Sequence, residues 1–353
     1  MKRLVITLVL AGVLLIALAA PASASTAVWH PRMVAAFSAG DYGAFLEGLA
    51  ADSHGKLFGS LTKWGYASED GSIAESNIGE VWRVAQNGNK HLVATMDLSP
   101  NAMLLGVAVD RGDRVYVATY DFGDPASIGS SIFRVGPGSA MTKVVALPQG
   151  AMPNGIAFHG GRLYITDSAF GAVWRVRPSG DVVTLDAPWF EDALLAGGDP
   201  TTDPTKTGIG ANGLAFRGDR AYVSVADYGR IVRIPVRDDG SPGAPRVICE
   251  RPKLVTADGI GFDALGRLWI ATNAGTTGGS PGGALYRLSP SGALRQIADD
   301  PGWLNYPTMP VFGTTKSTLR TLFIANGAYW GFDDGSAPDI RALPVGIPGL
   351  PLF

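Results

Sequence analysis

The chain of 353 residues sets 29 Lys and Arg against 31 Asp and Glu, a formal net charge of −2 that excludes the basic stripe of a nucleic-acid binder. A hydrophobic share of 46% against 17% charged residues excludes disorder as the main state and suffices for a large core. Cys249, the single cysteine, excludes an internal disulfide and a Cys-based structural zinc site.

The chain opens on an address. Lys2 and Arg3 precede the apolar run Leu4 to Ala20, and Pro21-Ala22-Ser23-Ala24 supplies the small residues of a cleavage site. This pattern predicts a signal peptide over 1–24 and a single exported domain over 25–353, secreted or periplasmic. An uncleaved anchor is the competing reading, because the run approaches the roughly 20 residues that span a bilayer. No later segment is long and apolar enough to do so, so no membrane partner is expected after cleavage.

Met33 to Phe37 follows as a lone β-type segment, and a repeated phrase then takes over. Its plain copies are LEGLAADSHGKLFGSL, LLGVAVDRGDRVYVATY, PNGIAFHGGRLYITDS, ANGLAFRGDRAYVSVAD and ADGIGFDALGRLWIATN; a weaker sixth is PTMPVFGTTKSTLRTLFIANG. Each has a residue X before Gly (Pro307-Thr308 stands there in the sixth), then an apolar strand, a polar turn and a second strand. The X residues are Glu47, Leu105, Asn154, Asn212, Asp258 and Thr308, spaced 58, 49, 58, 46 and 50 apart. A third strand follows in five copies as VWRV, IFRV, VWRV, IVRI and LYRL. Strands throughout with a period near fifty predict an all-β, six-bladed β-propeller. Its last blade is short of strands, so the Met33–Phe37 segment is expected to complete it and close the ring. Short helices are expected only near 40–46 and 189–195. The long connections 60–79 and 189–210 are candidate lids over the axial opening, or plain solvated excursions.

The innermost strand of each blade runs along the central channel, so equivalent residues come onto one ring. Glu47, Asn154, Asn212 and Asp258 then present hard oxygen donors with a summed charge of −2, a set suited to calcium. No sulfur or imidazole belongs to it, which argues against zinc or copper. Without a cation, Glu47 and Asp258 repel and at least one holds a proton. The alternative is turn chemistry, since Asn and Asp before Gly are common turn residues.

These repeats, and above all NGIAFHGGRLYITDS and DGIGFDALGRLWIAT, resemble the senescence marker protein/gluconolactonase family of calcium-dependent six-bladed propellers, which is related to paraoxonases and diisopropyl fluorophosphatase. The resemblance spans nearly all of 33–345 and implies Glu47, Asn154, Asn212 and Asp258 as calcium ligands. It also implies hydrolysis of a small-molecule ester or lactone, with calcium polarising the scissile carbonyl. Asp258 is the candidate catalytic base, or the nucleophile toward a phosphotriester, and Glu47 the purer ligand. Leu105 departs from relatives that carry a polar residue or His there. Leu105, Thr308, Trp64 and Trp189 are the expected substrate-pocket walls. None of His30, His54, His91 and His159 occupies an X position, and each is expected on the surface. The strand-end residues Asp121, Asp167, Asp227 and Asn273 are candidates to support the ligands, or ordinary turn residues. Two other functions stay open: a non-catalytic propeller with a structural calcium, and a metal-free biosynthetic propeller resembling strictosidine synthase.

Overall fold

The computed structural model describes residues 31–38, 43–65, 77–121, 129–273, 282–328 and 337–351, so the signal peptide read at 1–24, His30 and residues 66–76 of the candidate lid at 60–79 lie outside the described residues. The described chain is built of strands, with three short 3-10 turns and no α-helix. After β1 (Arg32–Ala36), blade one holds β2 (Ala44–Ala51), β3 (Leu57–Lys63), β4 (Asn77–Val84) and β5 (Lys90–Leu98). Blade two holds β6 (Ala102–Val109), β7 (Val115–Asp121), β8 (Ser131–Val135) and β9 (Met141–Ala146). Blade three holds β10 (Pro153–His159), β11 (Arg162–Asp167) and β12 (Ala172–Val176). Two short strands follow, of which β13 (Val183–Thr184) runs parallel to β9 of blade two and β14 (Phe190–Glu191) edges blade three. Blade four is β15 (Ala211–Phe216), β16 (Arg220–Val225), β17 (Arg230–Pro235) and β18 (Arg246–Glu250). Blade five is β19 (Ala257–Phe262), β20 (Leu268–Thr272), β21 (Ala284–Leu288) and β22 (Leu294–Ala298). Blade six is β23 (Pro307–Phe312), β24 (Thr321–Asn326) and β25 (Asp339–Pro344). Apart from β13, consecutive strands within each blade pair antiparallel. On the outer edge of blade six β1 pairs antiparallel with β25, so both ends of the described chain build one sheet.

Both faces of each blade are buried, which is why its strands read as nearly continuous apolar runs. In β11, Leu163 and Ile165 pack toward blade two with Tyr116 and Ile132, while Tyr164 packs toward blade four with Val223 and Leu214. The apolar core is accordingly divided into six clusters, one at each blade interface. Two tryptophans buried there find acceptors for their indole N–H groups: Trp174 on Asp167 and Trp269 on Asp263, both at 2.9 Å. An acceptor offsets the cost of burying each N–H.

The two expected helices are not formed. Residues 44–46 belong to β2 and pair with β3, and 190–191 form β14 against Ala172 and Val173. Ala-Phe-Leu-Glu has good helix propensity, but a place on the innermost strand buries Phe45 and Leu46 completely, and packing overrides a propensity worth tenths of a kcal/mol, about 0.7 at most.

Candidate metal centre

Every first hairpin of the six blades carries a register shift at the repeated dipeptide: Leu46/Leu49, Leu104/Val107, Pro153/Ile156, Ala211/Leu214, Ala257/Ile260 and Pro307/Pro310. The X–Gly pair is therefore a β-bulge, which places an extra residue on the inner strand and re-aims its side chain. Glycine is required because the next blade passes directly over it. A Cβ on Gly48 would lie 2.6 Å from the Leu105 carbonyl, and one on Gly155 would lie 2.5 Å from that of Asn212.

In blades one, three and four a hydroxyl on the second strand ties the bulge to the next blade. The Gly48 N–H donates to Ser60 Oγ at 2.8 Å, and Ser60 donates to the Leu105 carbonyl at 2.5 Å. Thr166 accepts from Gly155 and donates to the Asn212 carbonyl; Ser224 accepts from Gly213 and donates to the Asp258 carbonyl. At the closure, Thr308 Oγ1 donates to the Leu46 carbonyl at 3.1 Å. The sequence reading missed these hydroxyls, although Ser60, Thr166 and Ser224 occupy one register position in their second strands.

Glu47, Asn154, Asn212, Asp258 and Thr308 converge on a cavity of about 20 Å³ on the axis, large enough for a single sphere the size of a water or an ion. All five are buried, none more than 6% exposed. Two residues further along each of the first five inner strands, Leu49, Val107, Ile156, Leu214 and Ile260 form an apolar collar, which Met309 completes in blade six. The collar lies between the ring and the far end of the channel.

Burial, and then the field of Glu47, push the Asp258 carboxyl well above the usual carboxylate range, while Asn273 and the Gly259 N–H act in the opposite direction. Asn273 Nδ2 donates to Asp258 Oδ2 at 2.9 Å. Asn154 Nδ2 donates to Ser168 Oγ at 3.3 Å. Asn212 Oδ1 is buried without a hydrogen-bond partner. An orphaned amide oxygen costs about 1–3 kcal/mol in a folded chain, and a cation on the axis would satisfy it. The donor set is two carboxylates and two amides, all hard oxygens, which fits calcium. Among the described residues no three His, Cys, Asp or Glu side chains gather elsewhere into a metal site.

Of the four expected pocket walls, only Thr308 lines this cavity. Leu105 occupies its bulge but is 2% exposed, packed with Phe45 and Ala118 in the core between blades two and three. An apolar side chain gains more from that layer than from a polar ring. Trp64 stacks on Phe45 at 5.6 Å and belongs to the same cluster. Trp189 does not line this cavity. It donates to the Gly240 carbonyl at 2.8 Å and packs edge-on against Tyr164, with Arg175 over its ring, because β14 carries it to the edge of blade three.

Among the strand-end residues, Asn273 touches the ring, whereas Asp167 caps its own turn through Ala169 and Phe170. Asp227 holds the connection before blade four through Gly198, Thr207 and Gly208. His54 lies on an exposed turn, 3.1 Å from Asp113.

A family model described as SMP-30/Gluconolactonase/LRE-like region matches residues 196–327, which run from the connection before blade four into blade six and include Asn212, Asp258 and Asn273. No curated protein matches the chain. A gluconolactonase from Xanthomonas campestris is 19% identical, with a TM-score of 0.54, and the match covers 90% of this chain and 95% of that one. A virginiamycin B lyase from Staphylococcus aureus is 14% identical with a TM-score of 0.49, over 90% of this chain and 99% of that one. The chain is a six-bladed β-propeller that resembles the SMP-30/gluconolactonase family over residues 196–327.

Proposed function

We propose that the protein is an exported, calcium-dependent hydrolase of the lactonase or esterase type, acting on a small molecule at the axial ring. The observation that carries this reading is the buried Asn212 oxygen without a partner, facing one small cavity with Glu47, Asn154 and Asp258. The SMP-30/gluconolactonase/LRE-like match over 196–327 supports it, and the leader at 1–24 supports export.

Glu47, Asn154, Asn212 and Asp258 would hold the ion. Bound there, calcium supplies a Lewis acid for the oxygen that gains charge as an ester or lactone is attacked. Asp258 accepts a proton from the attacking water, and Asn273 fixes the orientation of its carboxylate through Oδ2. Burial of the four side chains, none more than 6% exposed, strengthens every charge interaction inside the ring.

The test is calcium content and thermal unfolding of the mature protein, with and without chelator, in the wild type and Asn212→Ala, followed by assays on lactones, aryl esters and phosphotriesters. Stoichiometric calcium that stabilises the wild type, is weakened by Asn212→Ala, and is needed for turnover supports the reading. Calcium binding without turnover of any of the three classes leaves a binding propeller with a structural ion. No calcium and no chelator effect overturns the metal centre.

A further inference from the structure

The channel continues beyond the collar. At the end of the axis away from the ring, the far ends of the inner strands surround a cavity of about 730 Å³. That volume lies within the roughly 300–1,000 Å³ of small-molecule sites, which combine apolar walls with a few placed polar groups.

Its walls include Phe158, Phe216, Phe262 and Val311 from four inner strands, with Leu350 from the C-terminal tail. The tail is fastened there by the Leu350 N–H on the Phe262 carbonyl at 3.0 Å and the Gly349 N–H on the Leu319 carbonyl at 3.1 Å. His159 stacks on Phe216 with centroids 4.4 Å apart and planes 3° from parallel, so its ring serves as wall.

The rim is cationic. Arg111, Arg177 and Arg217 all line it, and none forms an ion pair among the described residues. The carboxylate on this rim, Asp110, is already taken by Arg114 at 2.6 Å. Arg217 lies against the bare backbone of Gly266, whose φ of +72° and missing Cβ leave room for the guanidinium. An apolar cavity under unpaired guanidinium groups is complementary to a molecule with an apolar body and one anionic end, because each half satisfies what the other leaves unsatisfied.

We propose that this cavity is a second binding site, separate from the axial ring, for an amphipathic carboxylate whose tail lies among the phenylalanines and whose head group meets Arg177 and Arg217. Five collar residues form walls of both cavities, so the two sites are neighbours divided by one apolar layer. Occupancy of the lower site requires no calcium.

Dodecanoate below its micelle concentration, titrated calorimetrically into the chelator-treated full chain, tests the proposal. Saturable one-to-one binding is expected, weakened about tenfold by Arg217→Gln and more by the double variant Arg177→Gln/Arg217→Gln. Dodecanol and acetate, each lacking one half of the recognition, should bind far more weakly, and Asn212→Ala in the ring should leave dodecanoate affinity unchanged. Absence of saturable binding, equal affinity for dodecanol, or full affinity in the double arginine variant with an unaltered melting temperature overturns it. A loss of dodecanoate binding in Asn212→Ala would move the ligand to the ring and overturn it equally.

Discussion

Ser224 in blade four donates its hydroxyl to the backbone carbonyl of Asp258 in blade five at 2.7 Å, while accepting the Gly213 N–H of its own blade at the same distance. One buried hydroxyl thus joins two bulges, and through them two ring positions, Asn212 and Asp258. Ser224→Ala leaves a buried donor and a buried acceptor unmatched and should destabilise the fold by about 2–4 kcal/mol. Denaturant unfolding measures this. Ser224→Thr, which keeps the hydroxyl and matches Thr166 in blade three, should recover most of the loss.

The bulge glycines should tolerate nothing larger. Gly48→Ala places a methyl 2.6 Å from both the Leu105 carbonyl and the Val107 nitrogen, backbone atoms that cannot step aside. A cost of about 3 kcal/mol or more is expected, read as a lowered unfolding midpoint or loss of soluble protein. Gly138→Ala is the control for glycine itself: its φ of 68° strains a side chain, but no atom lies within 4 Å of the added methyl. It should therefore cost only about 1 kcal/mol.

The repeat was legible because a propeller uses each blade the same way. X–Gly marks the bulge, and the bulge puts X on the axis, so Glu47, Asn154, Asn212, Asp258 and Thr308 were placed from spacing alone. Leu105 shows the limit of that inference. Register brings a residue to the ring, but an apolar side chain then follows the neighbouring core, here Phe45 and Ala118. Trp189 marks a second limit. Its surroundings depend on where the short strand β14 docks, and a two-residue strand carries no periodic signal. The lower cavity was also invisible, since Arg111, Arg177 and Arg217 lie in turns of three different blades and meet only through closure of the ring.

Asp258 makes the chelator-treated protein sensitive to pH in a definite direction. In the unfolded chain its carboxyl titrates near 3.8, and in the fold burial and Glu47 hold the proton to higher pH. Over that window the folded state binds more protons, so stability falls as pH rises from about 4 toward neutrality. Asp258→Asn should flatten this slope and raise chelator-treated stability at neutral pH, while abolishing turnover and the stabilisation by added calcium. Unfolding midpoints across that range, with chelator and with calcium, provide the check; a wild type that gains stability with rising pH in chelator would contradict it.

Asp227 gives the connection before blade four its shape. Its buried carboxylate accepts the N–H groups of Gly198, Thr207 and Gly208 at 2.9–3.1 Å and the Thr207 hydroxyl at 2.6 Å. Lys206 also donates to its backbone carbonyl at 2.9 Å. The segment 197–208 has little apolar surface to bury, and Asp227 is the buried side chain that ties both of its ends, at Gly198 and Gly208, to blade four. Asp227→Ala should therefore release it. Limited proteolysis should cut first between 197 and 208, and amide exchange there should approach the unprotected rate, while the strands of blade four keep their protection because Val223 and Val232 remain in the core. Asp227→Asn retains an acceptor oxygen but loses the charge that strengthens each bond, and an intermediate cutting rate is expected. If turnover falls with Asp227→Ala in proportion to cutting, this connection contributes to the substrate site; if turnover is untouched, it is a structural brace of blade four.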